Sequence, residues 1–126
     1  MLKRKAVVLL VVLAAIATTV PAVAYGSSCV KFYEDTDWLN GSGDYWDYTG
    51  TLSGGRTYAF QLIVPWNADF DIKIYDQNGH LVASGTNGTG DDETVYITPA
   101  WTGRFTFRVF SYSGRGWYTL KVYRKS

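Results

Sequence analysis

From Tyr45 onward, apolar and polar residues alternate in short runs, cut off every ten residues or so by glycine, asparagine, aspartate and proline. The runs are YWDYTGTL (45–52), TYAFQLIV (57–64), FDIKIYD (70–76), HLVAS (80–84), ETVYIT (93–98), RFTFRVF (104–110) and WYTLKVYR (117–124). Successive strand side chains point to opposite faces, so a period of two with regular breaks predicts short strands packed as an antiparallel sandwich or barrel. The separators SGGR, PWNAD, QNG, GTNGTGDD, PAWTG and SYSGRG carry the residues that turns require. No segment keeps a helical period.

The alternation assigns a core face: Tyr58, Phe60, Leu62 and Val64; Phe70, Ile72 and Ile74; Leu81 and Ala83; Val95 and Ile97; Phe105, Phe107 and Val109; Tyr118, Leu120 and Val122. The opposite faces then hold Gln61, Asp71, Lys73, Arg104, Thr106, Arg108, Thr119 and Lys121, with the rings of Tyr75, Tyr96, Phe110, Trp117 and Tyr123. Before Tyr45 lies a polar, acidic lead-in, residues 25–44, to which no strand is assigned.

The first 24 residues read differently. Lys3, Arg4 and Lys5 precede the apolar run AVVLLVVLAAIA, and the small-residue sequence Ala22-Val23-Ala24 follows Pro21, the three-part pattern of a secretory signal peptide. Cleavage after Ala24 leaves a chain from Tyr25 to Ser126, long enough for one small domain over 45–126 behind its lead-in. The rival is an uncleaved membrane anchor, the one route by which a membrane enters as partner.

Removing the leader takes three of the 12 basic residues and none of the 11 acidic ones, leaving nine against eleven. A mildly acidic, exported chain has no basic stripe, which excludes nucleic acid as a partner. The single cysteine, Cys29, makes no internal disulfide and is expected as a free or intermolecular thiol near the terminus, so packing must hold the fold. All five Trp, ten Tyr and six Phe lie at or after Tyr25. So small a domain has limited interior, and some of these rings belong at the surface.

The segments ADFDIKIYDQNGHLVASG and DDETVYITPAWTGRFTFRVFSYSGRGWYTLKVY, with YWDYTGTLSGGRTYAFQL before them, resemble the bacterial and archaeal pre-peptidase C-terminal domain over residues 46–123. The shared features are a D-x-D strand, a Tyr-Asp-x-x-Gly turn, an L-V-A-S strand, a D-E-T loop, a G-x-F-x-F-x-V strand and a closing Y-T-L-x-V strand. The resemblance implies an all-β fold, an antiparallel jelly-roll-like β-sandwich, related in shape to the collagen-binding domains of secreted collagenases. Members usually follow a secreted protease. Here a stand-alone copy is expected, which leaves binding, assembly or service to a separate enzyme as roles.

Catalysis finds no support, because the sole histidine, His80, flanks the Asn78-Gly79 turn and no G-x-S-x-G, H-E-x-x-H or Cys/His pairing occurs. Calcium is the expected cofactor if the acids do more than solvate the surface, since hard cations take several oxygens from carboxylates and loop carbonyls. The candidate ligands are Asp91, Asp92 and Glu93 with Asp69 or Asp71, or the cluster Glu34, Asp35 and Asp37; Asp76 reads as a turn former. The resemblance adds that collagen-binding domains hold calcium near the N-terminal strand and its loops. For ligand binding the candidates are Tyr75, Tyr96, Phe110, Trp117 and Tyr123, unless Phe32, Tyr33 and Trp38 cover them, with Trp66 and Trp101 as loop rings beside them.

The resulting expectation is a non-catalytic module, secreted or at the cell surface, that binds an extracellular protein or polysaccharide. Two alternatives stand beside it. One is a subunit of a surface layer or filament in which residues 25–44 are donated as a strand to a neighbour. The other is an accessory chaperone or inhibitor of a separately encoded secreted protease.

Overall fold

The computed structural model describes residues 29–125 and the short segments 4–6 and 18–19. Its strands are β1 (Arg4–Ala6), β2 (Thr18–Thr19), β3 (Cys29–Leu39), β4 (Tyr45–Leu52), β5 (Tyr58–Ile63), β6 (Asp69–Tyr75), β7 (Leu81–Gly85), β8 (Glu93–Ile97), β9 (Gly103–Ser113) and β10 (Gly116–Lys125), with no helix among the described residues. Two four-stranded antiparallel sheets face each other, in the orders β4-β9-β6-β7 and β3-β10-β5-β8. At their edges β1 adds in parallel to β4 and β2 antiparallel to β3. The expected cleavage site at Ala22–Ala24 lies outside the described residues.

Each of the seven alternating runs forms a strand because only one of its two faces is apolar, and that face is satisfied only by turning toward the opposite sheet. Phe60, Leu62, Phe70, Ile72, Ile74, Phe107, Val109, Leu120 and Val122 are fully buried between the layers. Phe60 of one sheet meets Phe107 of the other at 4.7 Å between ring centroids, and Phe70 meets Tyr118 edge-on at 6.4 Å.

The lead-in supplies an eighth sandwich strand. β3 pairs with β10 of its own chain from Cys29↔Lys125 to Leu39↔Gly116. A bulge lies where Val122↔Tyr33 is followed by Tyr123↔Lys31. The extra residue lets two consecutive rings reach the core: Phe32 packs edge-on against Tyr58 at 5.9 Å and Tyr33 against Tyr48 at 6.1 Å.

Two assignments change. Leu81 is exposed, because the β6–β7 ladder shifts between Ile74↔Ala83 and Tyr75↔Leu81 and turns Leu81 away from the core while Ala83 keeps its place against it. Tyr123, expected on an open face, is buried in a small cluster with Ala59 and Cys29, its hydroxyl 3.4 Å from Gln61 Oε1. Cys29 is correspondingly a buried residue at the start of β3.

The core also encloses two hydroxyls. Tyr48 of β4 donates to Asp35 Oδ2 at 2.6 Å, and the Tyr48 and Tyr118 oxygens are 2.5 Å apart. A carboxylate only accepts, so the Tyr48 proton goes to Asp35 and Tyr118 donates to Tyr48. The chain Tyr118–Tyr48–Asp35 ties β10 and β3 of one sheet to β4 of the other. Tyr48→Phe is expected to cost about 1–3 kcal/mol, because it orphans the buried Tyr118 hydroxyl; urea denaturation monitored by tryptophan fluorescence reads this directly, and an unchanged midpoint would remove the bridge from the stability account.

Candidate functional site

The acids predicted as two alternative ligand sets are dispersed by the fold. Strand alternation sends Glu34 to the outer face, where it pairs with Lys31, while Asp35 is taken by Tyr48. Asp37 Oδ1 accepts the Trp38 amide at 2.8 Å. Asp92 Oδ1 accepts the Val64 amide at 3.0 Å, and Asp91 is exposed. Among the described residues no three His, Cys, Asp or Glu side chains converge as a metal cluster. Asp76, as expected, builds the turn: its Oδ1 accepts the amides of Asn78 and His80 at 2.9 Å each, which holds its carboxyl below the usual range.

Asp69, Asp71 and Glu93 behave otherwise. Asp71 alternates away from the core face, opposite Phe110, yet it is only 6% exposed and its carboxyl contacts that of Asp69. Burial, then the Asp69 charge, push Asp71 up to about 6. Glu93 is 1% exposed on the inner face of β8 and accepts the Asn87 amide at 2.7 Å. Burial raises it to about 7 against that hydrogen bond, with the charges of Asp71, Asp69 and Asp91 adding.

The loop carrying Asn87 to Asp92 is anchored by Gly90, whose amide donates to the Ala68 carbonyl at 2.8 Å. Its φ of +78°, with a Cβ that would fall 2.6 Å from the Trp66 carbonyl, admits only glycine there.

The five predicted ligand-binding rings fall in separate places. Tyr75 and Phe110 lie on the outer face of the β4-β9-β6-β7 sheet beside Arg108, which is paired in fork geometry with the buried Asp47 at 2.7 and 2.9 Å. The guanidinium sits 4.2 Å from the Tyr45 ring and 5.9 Å from Tyr75, and Lys73 Nζ lies 4.9 Å over Phe110. Trp117 is exposed on the other sheet, edge-on to Trp38 at 5.5 Å, so the lead-in strand partly covers it. Tyr123 is inside.

Tyr96 stands at the edge of β8, where it forms a groove of about 340 Å³ with Trp101, Val82, Thr98, Pro99 and Asp76. Tyr96 is 58% and Trp101 50% exposed. Their loop is held from below: Gly55 donates to the Pro99 carbonyl at 2.8 Å and Gly54 to Thr102 Oγ1 at 2.9 Å. A Cβ on Gly54 would lie 2.7 Å from the Trp101 backbone, so that glycine permits the close approach. Sequence alternation finds Tyr96 but not Val82, which the β6–β7 register shift places at the rim; Trp101 had only its position in a PAWTG loop to mark it.

No family model matches the chain, and no curated protein does either. Solved structures do match it. The pre-peptidase C-terminal domain of the Bacillus anthracis collagenase superposes with a TM-score of 0.63 at 14% identity, over 97% of this chain and 96% of that one. This chain has the fold of a pre-peptidase C-terminal domain. The same sandwich is similar to Aeromonas hydrophila PliG, a periplasmic inhibitor of g-type lysozyme, with a TM-score of 0.61 at 12% identity over 98% of each chain.

The raised acids set a pH dependence. A carboxyl whose folded pKa lies above its unfolded value gives stability that is fully present below the unfolded value, near 4, and lost as pH rises through the folded one. In chelator, stability attributable to Asp71 and Glu93 should therefore fall between about pH 4 and pH 7. Denaturation midpoints of wild type and Glu93→Gln across that range should converge at the acid end and separate, with the variant the more stable, toward pH 7.

Proposed function

We propose that this protein is an exported, non-catalytic binding module that holds a polysaccharide chain against the Tyr96–Trp101 groove. The observation that carries the reading is the pair of exposed rings over an open groove with Thr98 and Asp76 among its lining. Ligand sites are concave and largely apolar, with a few polar groups that fix orientation. A pyranose matches that arrangement, with C–H faces to lie on aromatic rings and hydroxyls to bond to the Thr98 hydroxyl. No residue set proposed for catalysis accompanies the groove, since His80 is exposed and engaged with Asp76 at 3.4 Å in the turn.

Export follows from the leader pattern of Lys3 to Ala24. Intact-mass measurement of the secreted protein should give a chain beginning at Tyr25; a full-length mass in the membrane fraction would assign an anchor instead.

Binding is tested by affinity electrophoresis in gels cast with soluble polysaccharides of different linkage, with pull-down on insoluble glycans and fibrous collagen as a comparison. Retardation by at least one polysaccharide is expected, and Trp101→Ala should weaken it about tenfold or more with an unchanged melting midpoint. Binding only to collagen, or equal retardation of wild type and variant, overturns the groove reading.

A further inference from the structure

The Tyr96–Trp101 groove does not end at Asp76. That residue also borders a second depression, of about 420 Å³, on the outer face of the β4-β9-β6-β7 sheet, where Asp47, Tyr75, Gln77, Arg104, Thr106 and Arg108 line it. The two meet over Gly103, where a Cβ would fall 3.1 Å from Gln77 Oε1 of the second and 3.3 Å from Trp101 Cδ1 of the first. Arg104, Thr106 and Arg108 stand at alternate positions of β9, so all three point to one face. Most of the charge there is already matched. Arg108 is forked onto Asp47, and Asp76 accepts the amides of Asn78 and His80, with His80 Nδ1 3.4 Å from its second oxygen. Arg104 differs: it is exposed and makes no ion pair or hydrogen bond with any described residue.

We propose that the groove and this second depression form one cleft for an acidic polysaccharide, with a uronate carboxylate received by Arg104. The proposal rests on the groove reading and adds the chemical class of the ligand to it. One sugar lies against Tyr96 and Trp101, and the chain crosses Gly103 so that a neighbouring sugar's carboxylate meets the Arg104 guanidinium, with Thr106 and Gln77 beside it for hydroxyls. A carboxylate suits this cleft better than a denser anion for two reasons. Its two coplanar oxygens match one edge of a guanidinium. The cleft also holds a single unmatched positive charge, beside the carboxylates of Asp47 and Asp76. A polymer with closely spaced sulfates would meet repulsion there that one carboxylate per sugar avoids.

The test is affinity electrophoresis in gels cast with alginate, polygalacturonate or hyaluronan, each beside its carboxyl-reduced form, and with dextran sulfate. At least one uronate polymer should retard wild type, and about tenfold more strongly than the same polymer after reduction, a difference that shrinks as salt rises. Arg104→Gln should erase that difference with an unchanged melting midpoint, since the side chain is exposed. Arg104→Lys, which keeps the charge without the fork, should restore part of it, and Trp101→Ala should weaken retention by both forms. No retardation by any uronate polymer, equal retardation by a polymer and its reduced form, a preference that survives in Arg104→Gln, or dextran sulfate binding as strongly overturns the acidic class. If Trp101→Ala still weakens retention by a neutral form in that event, the groove reading stands without it. A carboxylate preference that depends on Arg104 but is untouched by Trp101→Ala overturns the joined cleft and the groove reading together.

Discussion

The buried chain Tyr118–Tyr48–Asp35 is the constraint around which the two sheets are arranged. Apolar side chains tolerate many relative positions of two layers, since dispersion and burial are non-directional. Hydroxyls enclosed between layers tolerate very few, because each must find a partner or forfeit its hydration. Tyr48 belongs to one sheet and Tyr118 and Asp35 to the other, so satisfying them fixes how β4 lies over β3 and β10. Burial of the rings, with the nearby acids adding, pushes both phenols above their ordinary range and keeps them protonated donors. Edge-on contacts such as Tyr33 against Tyr48 and Phe70 against Tyr118 then fill the space that this alignment leaves.

Much of this architecture was legible in the sequence, and the exceptions have local causes. Phe60, Leu62, Phe70, Ile72, Ile74, Phe105, Phe107, Val109, Leu120 and Val122 all face inward because nothing interrupts their period of two. The segment KFYEDTDW hid a strand because β3 pairs on its sandwich side with β10 alone and carries acids on both faces, leaving no clean apolar alternation. Bulges defeated simple counting twice: one let Phe32 and Tyr33 enter the core together, and the other expelled Leu81. A register shift is invisible in composition, since the residues that flank it are ordinary strand formers.

The candidate sites were less legible than the fold, for a different reason. Side chains such as Tyr96 and Trp117 are equivalent by alternation, yet Trp117 meets Trp38 of the lead-in strand while Tyr96 joins a loop ring to form a groove. The acids divide in the same manner. Asp35, Asp76 and Asp92 each serve a hydroxyl or backbone amides, tasks that acidic residues perform throughout loops and turns, whereas the orphaned oxygens of Asp69 and Asp71 appear only once burial and partners are known. Charge density along a sequence cannot separate those two situations.

Strand β6 connects the buried acid pair to the groove and also keeps them apart. The acid pair stands at its start and Asp76, a wall of the groove, just past its end. At about 3.3 Å per residue Asp71 and Asp69 stand roughly 17 and 23 Å from Asp76, beyond a Debye length of about 8 Å at physiological ionic strength. Between them Phe70, Ile72 and Ile74 are fully buried and locked against the opposite sheet. A close-packed strand of this kind transmits little unless it has two discrete arrangements, and nothing in its ladder with β9 beyond the shift at Asp69/Phe70 offers a second one. Charge changes at Asp69 or Asp71 therefore act on the free energy of the whole sandwich, while ring changes at Tyr96 or Trp101 act on the groove, so stability and the proposed binding are separable.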